Sequence, residues 1–204
     1  MRAQGVEIGL DTMFLLSRPS DATIRTILAT QCTENFSYSA VGASQGQLPA
    51  CYSVIHSRVG LGQGAATFAR AVEALCQWKM FDVPNVSLCW SNAPIQPGTV
   101  VAILIKHFGF WSLNFCRIVY VLDEDASVRR YGFAYGTLLD HAERGEERFA
   151  VEWDRASDVV SYDILSFSRP GCLLTQLSYP LARWLQRRFA RNSLAAMVDA
   201  VTAR

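Results

Sequence analysis

The sequence predicts an α+β helix-grip fold, in which a curved antiparallel sheet of about seven strands wraps around a long C-terminal helix. Apolar residues alternate with a period of two from residue 86 to 168, whereas residues 181–201 have helical periodicity. The connections between the predicted strands are too short for parallel crossovers, which need a dozen or more residues. The terminal helix is the element available to cover the apolar face of the sheet.

The first 50 residues are predicted to be an N-terminal extension packed on the main domain, which spans 51–204. Ser20 or Asp21 can cap a short helix in the extension. Its apolar positions are Ile24, Ile27 and Leu28. The segment 41–50 is rich in glycine, serine, glutamine and proline and is predicted to be a loop.

The main domain is predicted to begin with a strand over 52–59, followed by a glycine-rich turn and a helix that ends near Phe81, ahead of Pro84. The apolar stripe of this helix is formed by Phe68, Ala71, Val72, Leu75 and Trp78. Six strands should follow, over 86–91, 98–107, 110–122, 130–138, 146–153 and 159–168. A helix is then predicted after Pro170, restarting or bending at Pro180 and running to near Val201.

Gly60, Gly62 and Ala65 match the dinucleotide-binding fingerprint G-x-G-x-x-[GA]. That fingerprint belongs to a βαβ unit, whereas an antiparallel meander is predicted here. The preceding strand carries polar residues, His56, Ser57 and Arg58, where a buried parallel strand would be almost entirely apolar. We therefore expect the glycines to form a tight strand-to-helix turn and predict no cofactor. The alternative is an anionic group held by the amides at the helix start.

Composition excludes several classes of protein. The net charge of +1 argues against nucleic-acid binding driven by bulk electrostatics. No apolar run approaches the length that spans a bilayer, and the N-terminus lacks a signal-peptide pattern, so a cytoplasmic location is expected. The six cysteines contain no C-x-x-C pair. We expect them to be reduced and mostly buried, and we predict no metal site.

The side chain of Glu147 is predicted to share a strand face with Phe149, Val151 and Trp153. A carboxylate among apolar side chains needs a partner or a raised pKa, which makes Glu147 a candidate acid, base or ligand anchor. The alternative is a structural ion pair at the mouth of the strand. Arg169, at the end of the last strand, could pair with Glu147 or bind an anionic ligand.

Tyr135 and Thr137 share a face of the preceding strand with Tyr131 and Phe133 and could line a pocket as polar handles, or belong to an ordinary core. His141 lies in the following turn, close in sequence to several carboxylates. It is expected to make local hydrogen bonds there, and catalysis is the alternative.

Three arginines of the terminal helix, Arg183, Arg187 and Arg191, recur every four residues, with Arg188 beside them. This pattern is typical of a solvated helix face. It is also compatible with contact to anionic lipid headgroups or to an acidic partner.

Several motifs resemble the DUF1990 (UPF0548) family over about residues 17–201. They are Tyr38-x-x-Val41-Gly42-Ala43, Leu61-Gly62-x-Gly64 with Phe68 and Trp78, Tyr135-Gly136-Thr137-Leu138-x-x-His141, Gly145-Glu146-Glu147-x-Phe149, Phe167-Ser168-Arg169-Pro170 and Gln186-Arg187-Arg188. The resemblance implies no activity or catalytic residue. The order of elements is also similar to the START and polyketide-cyclase superfamily, whose members mostly bind hydrophobic ligands.

The favoured function is binding of a small, mainly hydrophobic ligand with a polar or anionic end, in a cavity between the sheet and the terminal helix. Tyr135, Thr137, Glu147 and Arg169 would hold the polar end. The first alternative is a cyclase-, hydratase- or hydrolase-like enzyme with Glu147 or His141 as general acid or base. The second is a membrane-surface or partner-binding module that uses the arginine face.

Overall fold

The computed structural model describes residues 14–139, 141–171 and 179–203. Eight strands and three α-helices make up the described fold. In chain order they are β1 (Phe14–Leu15), α1 (Asp21–Gln31), β2 (Ser53–Gln63), α2 (Gly64–Cys76), β3 (Val86–Leu88), β4 (Val100–Lys106), β5 (Trp111–Asp125), β6 (Val128–Thr137), β7 (Glu143–Asp154), β8 (Val159–Pro170) and α3 (Tyr179–Thr202). Short 3₁₀ turns cover Ala43–Gln45 and Lys79–Phe81.

All pairings in the sheet are antiparallel, in the order β2-β8-β7-β6-β5-β4-β3, and β1 pairs with β5 outside this series. α3 packs against β2, β8, α2 and the second 3₁₀ turn. The predicted helix-grip fold of about seven strands is thereby confirmed. The predicted start of a helix directly after Pro170 concerns residues outside the described ranges, and α3 begins at Tyr179 in the described part.

Two apolar cores lie on opposite faces of the sheet. The larger one joins the face formed by Phe133, Phe149 and Ile164 to α2 and to Met197 and Val201 of α3. The smaller one, on the other face, packs α1 against β4 and β5. It contains Ile24, Ile27, Ala102, Leu104, Leu113, Phe115 and Leu138. The short predicted helix of the extension therefore exists, with Ser20 as its N-cap, and covers the outer face of the sheet.

The glycine motif lies inside β2 rather than in a loop after it. β2 passes through Gly60 and Gly62 with a shift of register between them and stays paired to β8 up to Gln63. α2 begins directly at Gly64. The expected strand-to-helix turn is therefore confined to Gly64, the first residue of α2. An antiparallel strand with a bulge does not have the βαβ geometry in which the dinucleotide fingerprint works.

The cysteines are free in the described part of the chain, but fewer are buried than expected. Cys32, Cys51 and Cys76 are exposed, Cys89 is partly buried and Cys116 is buried. In the ranges that the structure covers, no helix is long and apolar enough to cross a membrane.

A buried carboxylate on the outer face of β7 binds the segment 38–44 of the extension. Glu146 is 3% exposed. It accepts hydrogen bonds from Tyr38 Oη (2.6 Å), the Gly42 amide (2.7 Å) and the Ser44 amide (3.0 Å), and from the Ser44 hydroxyl. Four hydrogen-bond donors therefore surround one carboxylate, and these bonds compensate for the loss of hydration that burial causes.

Two glycines make this arrangement sterically possible. A Cβ on Gly136 of β6 would lie 2.2 Å from Tyr38 Oη, so the tyrosine can cross β6 only where no side chain stands. Gly42 has a φ of +85°, in the left-handed region that favours glycine, and its N–H points to Glu146 from there. Ser44 also bonds Tyr120 Oη of β5 at 2.7 Å, so the extension links β5 to β7 across β6.

Replacing Glu146 by glutamine is expected to lower the free energy of unfolding by about 3 kcal/mol, because an amide has one acceptor oxygen and places two donors where the neighbours already donate. Urea unfolding measures the loss. Glu152→Gln is the matched control on the same strand and face. Glu152 pairs with the partly exposed Arg58 and Arg130, and its loss should cost about 1 kcal/mol or less. Equal losses for the two variants would contradict the role assigned to Glu146.

Candidate functional site

A pocket of about 90 Å³ lies between the concave face of the sheet and α3. β6, β7 and β8 supply most of its wall, β2 supplies Ile55, and α3 closes it with Gln186 and Ala190. Its remaining lining residues are Tyr135, Thr137, His141, Glu143, Gly145, Glu146, Glu147, Ser166, Phe167 and Ser168. The pocket is therefore polar on the sheet side.

Glu147 and Tyr135 form the polar pair at the sheet wall. They are directly opposite in the register of β6 and β7, so both side chains project from the same face. Tyr135 Oη donates to Glu147 Oε2 at 2.7 Å. Burial raises the pKa of Glu147 to about 7, the Tyr135 hydrogen bond opposes this shift, and the nearby charge of Glu143 adds to it. Burial also raises the pKa of Tyr135 well above its ordinary value.

A second polar group connects the sheet to α3. Gln186 Nε2 donates to Glu143 Oε2 and to Ser168 Oγ, the latter at 2.9 Å. Burial raises the pKa of Glu143, against the opposing effect of its hydrogen bonds to Ser168 and Gln186. Gln186 is thereby fixed between two strands, so this side of the pocket is pre-organised by α3.

His141 completes this side of the pocket. Its Nδ1 accepts the Glu143 amide hydrogen at 3.0 Å, and burial lowers its pKa to about 4. The ring is therefore neutral near pH 7 and makes the local hydrogen bond that its position in a turn led us to expect.

Thr137 lines the pocket, but its hydroxyl is hydrogen-bonded to the backbone of β7. Thr137 Oγ1 accepts the Gly145 amide hydrogen at 2.9 Å and lies 2.6 Å from Ser37 Oγ. Its polar atom therefore ties β6 to the start of β7 and to the extension.

The structure brings four of the five candidate residues together around one pocket, and Arg169 lies elsewhere. Arg169 is exposed, and its guanidinium stacks on the ring of Tyr52 with its central carbon 5.0 Å from the ring centroid. Arg183 is nearer, because it donates to Gln186 Oε1 at 2.7 Å and to the Val54 carbonyl at 3.3 Å. The described residues that line the pocket include neither an arginine nor a lysine.

Glu143 and Gln186 are the site residues that the sequence analysis missed. Strand parity could have found Glu143, since it has the same parity as Glu147, but the strand was predicted to begin three residues later, at 146. Gln186 was singled out only as part of the motif Gln186-Arg187-Arg188 and was given no role in the site, because only the packing of α3 brings it to the sheet. The structure contains no group of three or more His, Cys, Asp or Glu placed to hold a metal ion among the residues it describes.

The fold and the pocket define a helix-grip domain with a small polar cavity under its C-terminal helix. The model of the family described as "Domain of unknown function (DUF1990)" matches residues 37–196. The chain therefore belongs to the DUF1990 family, as its motifs indicated. The match begins one residue before Tyr38, so it includes the segment bound by Glu146.

Relatives named UPF0548 protein align along most of their length. One from Dictyostelium discoideum is 40% identical over 208 residues, covering 93% of this chain and 96% of the relative. One from Deinococcus radiodurans is 35% identical over 202 residues, covering 92% and 98%.

Two solved structures are similar at lower levels of identity. A hypothetical protein from Helicobacter pylori has a TM-score of 0.47 at 15% identity, over 74% of this chain and 86% of the other. Truncated norcoclaurine synthase from Thalictrum flavum has a TM-score of 0.45 at 11% identity, over 78% and 99%. A likeness of this degree does not extend to function.

Glu147→Gln is expected to stabilise the protein increasingly as the pH rises. The folded chain holds the Glu147 proton more tightly than the unfolded chain, where the pKa is near 4.5, so wild-type stability falls between about pH 4.5 and about pH 7. The stability of the Glu147→Gln variant does not fall in this way, because glutamine does not titrate. Above about pH 7 it should gain about 2 kcal/mol on the wild type, because each pKa unit corresponds to about 1.4 kcal/mol and partial exposure reduces the full value.

Thermal or urea unfolding of both proteins from about pH 4 to about pH 8 measures this difference. Other titrating groups, including His141 and Glu143, are common to the two proteins and largely cancel in the difference. Tyr135→Phe serves as the matched probe, because loss of its hydrogen bond should raise the pKa of Glu147 further in an NMR titration. A difference in stability that does not change with pH would contradict the raised pKa.

Proposed function

We propose that the pocket under α3 binds the polar head of a small ligand, and that this head is a hydroxyl, amide or amine group. The observation that carries the proposal is the set of groups in the lining. Glu143, Glu147 and Tyr135 offer acceptors and a donor, His141 is neutral near pH 7, and the described lining contains no cation. An anionic head would meet two carboxyl groups and no cation among the described lining residues; Arg183 acts on Glu143 from outside the lining.

The volume of the pocket limits what enters it. About 90 Å³ corresponds to about three water molecules of liquid volume, whereas pockets for drug-sized ligands measure about 300–1,000 Å³. The pocket thus suits a head group or a very small molecule. An apolar tail has to leave the pocket, since the core beneath it is filled by Phe81, Phe149 and Met197.

The proposal is compatible with the residues on either side of the cavity. The apolar side chains of Ile55, on the same face of the sheet, and of Ala190, on α3, border the polar pair. Such a wall excludes water from the polar pair, and hydrogen bonds to a bound head group would gain strength in that environment.

Three four-carbon probes of different head charge test this proposal: butylamine, butanol and butyrate. In ¹H–¹⁵N NMR spectra, butylamine and butanol should shift the amides of Tyr135, Glu147 and Gln186 saturably, and butyrate should not. The reason is that carboxyl groups attract an ammonium head and repel a carboxylate. Glu147→Gln should lower the affinity for butylamine by on the order of tenfold and change the affinity for butanol by less than about threefold.

Ala190→Leu is the blocking variant, because Ala190 is 2% exposed and its added atoms would fill the cavity. It should abolish the shifts from all probes. Tyr131→Phe is the control variant, since the Tyr131 hydroxyl contacts Cys76 and Tyr131 lies outside the pocket lining, and it should leave the shifts from all probes unchanged. Tighter binding of butyrate than of butylamine, or shifts that persist in Ala190→Leu, would contradict the proposal.

General acid–base catalysis by Glu147 is the second candidate function. It is favoured by two titratable groups in direct hydrogen-bond contact inside the pocket, one with a pKa of about 7, near which a catalytic carboxyl can both take up and release a proton. His141 suits this role less, because its pKa of about 4 leaves it a weak base at neutral pH.

The two functions are distinguished by what co-purifies with the wild type and with Glu147→Gln. Native mass spectrometry followed by extraction identifies the bound compounds. Binding alone is supported if both proteins carry the same compound and the wild type does not convert the compound isolated from the variant. A compound trapped by the variant and converted by the wild type supports catalysis.

A further inference from the structure

One stretch of α3 combines exposed apolar side chains with a row of arginines on its solvent side. At about 100° per residue, five positions fall within about a third of the circumference of the helix. They are Leu181, Trp184, Arg187, Arg188 and Arg191, called here the α3 outer face. Leu181 is 46% and Trp184 44% exposed. The guanidinium carbon of Arg188 lies 5.4 Å from the centroid of the Trp184 ring.

The positive charge of this face is not neutralised within the described structure. Elsewhere, some arginines at the surface contact carboxylates, as Arg130 contacts Glu124 and Arg155 contacts Asp125, whereas Arg169 stacks on an aromatic ring. No carboxylate of the described residues lies within 4.0 Å of the guanidinium nitrogens of the α3 outer face. The next acidic residue along the helix is Asp199, about 12 Å along the axis beyond Arg191.

Arg183, which the sequence pattern grouped with these arginines, does not belong to the outer face. Its side chain turns to Gln186 and to the Val54 carbonyl. The free cations are therefore Arg187, Arg188 and Arg191, and they lie one to two turns beyond the exposed tryptophan. Since the chain as a whole has a net charge of only +1, this is a local concentration of charge.

We propose that the α3 outer face docks on the surface of a bilayer that contains anionic lipids. Trp184 and Leu181 would enter the interfacial layer, and the three arginines would contact lipid phosphates. An indole ring has its preferred position at the membrane–water interface, and basic side chains next to apolar ones are typical of helices that lie in that interface. A purely acidic protein partner would use the arginines and leave the exposed tryptophan and leucine unexplained.

The binding is expected to be weak and reversible. Two apolar side chains bury little area, so attachment needs the electrostatic contribution as well. Each arginine near an anionic bilayer contributes about fivefold in affinity, which gives on the order of 100-fold for three. The pocket lies behind this face, since Gln186 and Ala190 line it from the inner side of the same helical turns. Docking does not require that the pocket be occupied.

Vesicle co-sedimentation of the full chain tests the proposal. Phosphatidylcholine vesicles with about one quarter phosphatidylserine should bind the wild type, and pure phosphatidylcholine vesicles should not. The triple variant Arg187→Ala/Arg188→Ala/Arg191→Ala should lose on the order of 100-fold in affinity. Trp184→Ala should lose about tenfold, and binding should fall as salt is added. Circular dichroism verifies that the variants are folded.

The matched control removes three exposed arginines elsewhere, Arg18→Ala/Arg25→Ala/Arg155→Ala, and changes the net charge equally. It should bind within about threefold of the wild type, because charges farther than a Debye length from the surface are screened. An equal loss in this control, or equal binding to neutral vesicles, would overturn the proposal. Binding to soluble polyglutamate as tight as to vesicles, and unaffected by Trp184→Ala, would overturn it in favour of an acidic partner.

Discussion

The hydrogen bonds to the Glu146 carboxylate are the interaction on which the arrangement of this domain depends. Tyr38, Gly42 and Ser44 donate to it from the extension, and Ser44 also reaches Tyr120 on β5. A carboxylate buried to this degree needs hydrogen-bond donors around it. This requirement fixes the position of the segment around Gly42 relative to β7, because its N–H and O–H groups must point to Glu146. Gly136, near the end of β6, is where Tyr38 of that segment crosses the strand.

The two adjacent glutamates of β7 have opposite tasks because successive side chains of a strand point to opposite faces. Glu146 points outward and is surrounded by donors, whereas Glu147 points inward and has Tyr135 as its hydrogen-bond donor. The outward carboxylate fastens the extension. The inward one keeps a raised pKa and faces the pocket. Thr137 connects these two sides, since its hydroxyl contacts both Ser37 and the backbone at the start of β7.

The helix α3 likewise divides its surface between two environments. Ala190, Met197 and Val201 pack inward and Gln186 closes the pocket, whereas Arg187 and Arg191 of the outer face are exposed and Arg188 is half-buried against Trp184. The same helix therefore carries both the face proposed to dock on a membrane and part of the wall of the proposed binding pocket. The coupling would be mechanical, because a displacement of α3 would move Gln186 relative to Glu143 and Ser168.

The sequence by itself determined the fold class, the antiparallel pairing of consecutive strands from β3 to β8 and the inward direction of Glu147, because alternation and short connections are local properties that leave few arrangements open. It also carried the motifs of the DUF1990 family. The pairing of β2 with β8 was decided by the tertiary structure. Only the tertiary structure decided which distant side chains meet. The alternation of side chains along β7 predicts that Glu146 points away from Glu147. It does not predict the hydrogen bond from Tyr38, which lies more than 100 residues earlier in the chain. Packing alone brought Gln186 to the pocket, because contacts between remote segments depend on how helices lie on the sheet and not on any local pattern. Arg169 lies outside the pocket because β8 extends to Pro170, so that Ser168 points inward and Arg169 points to the opposite face.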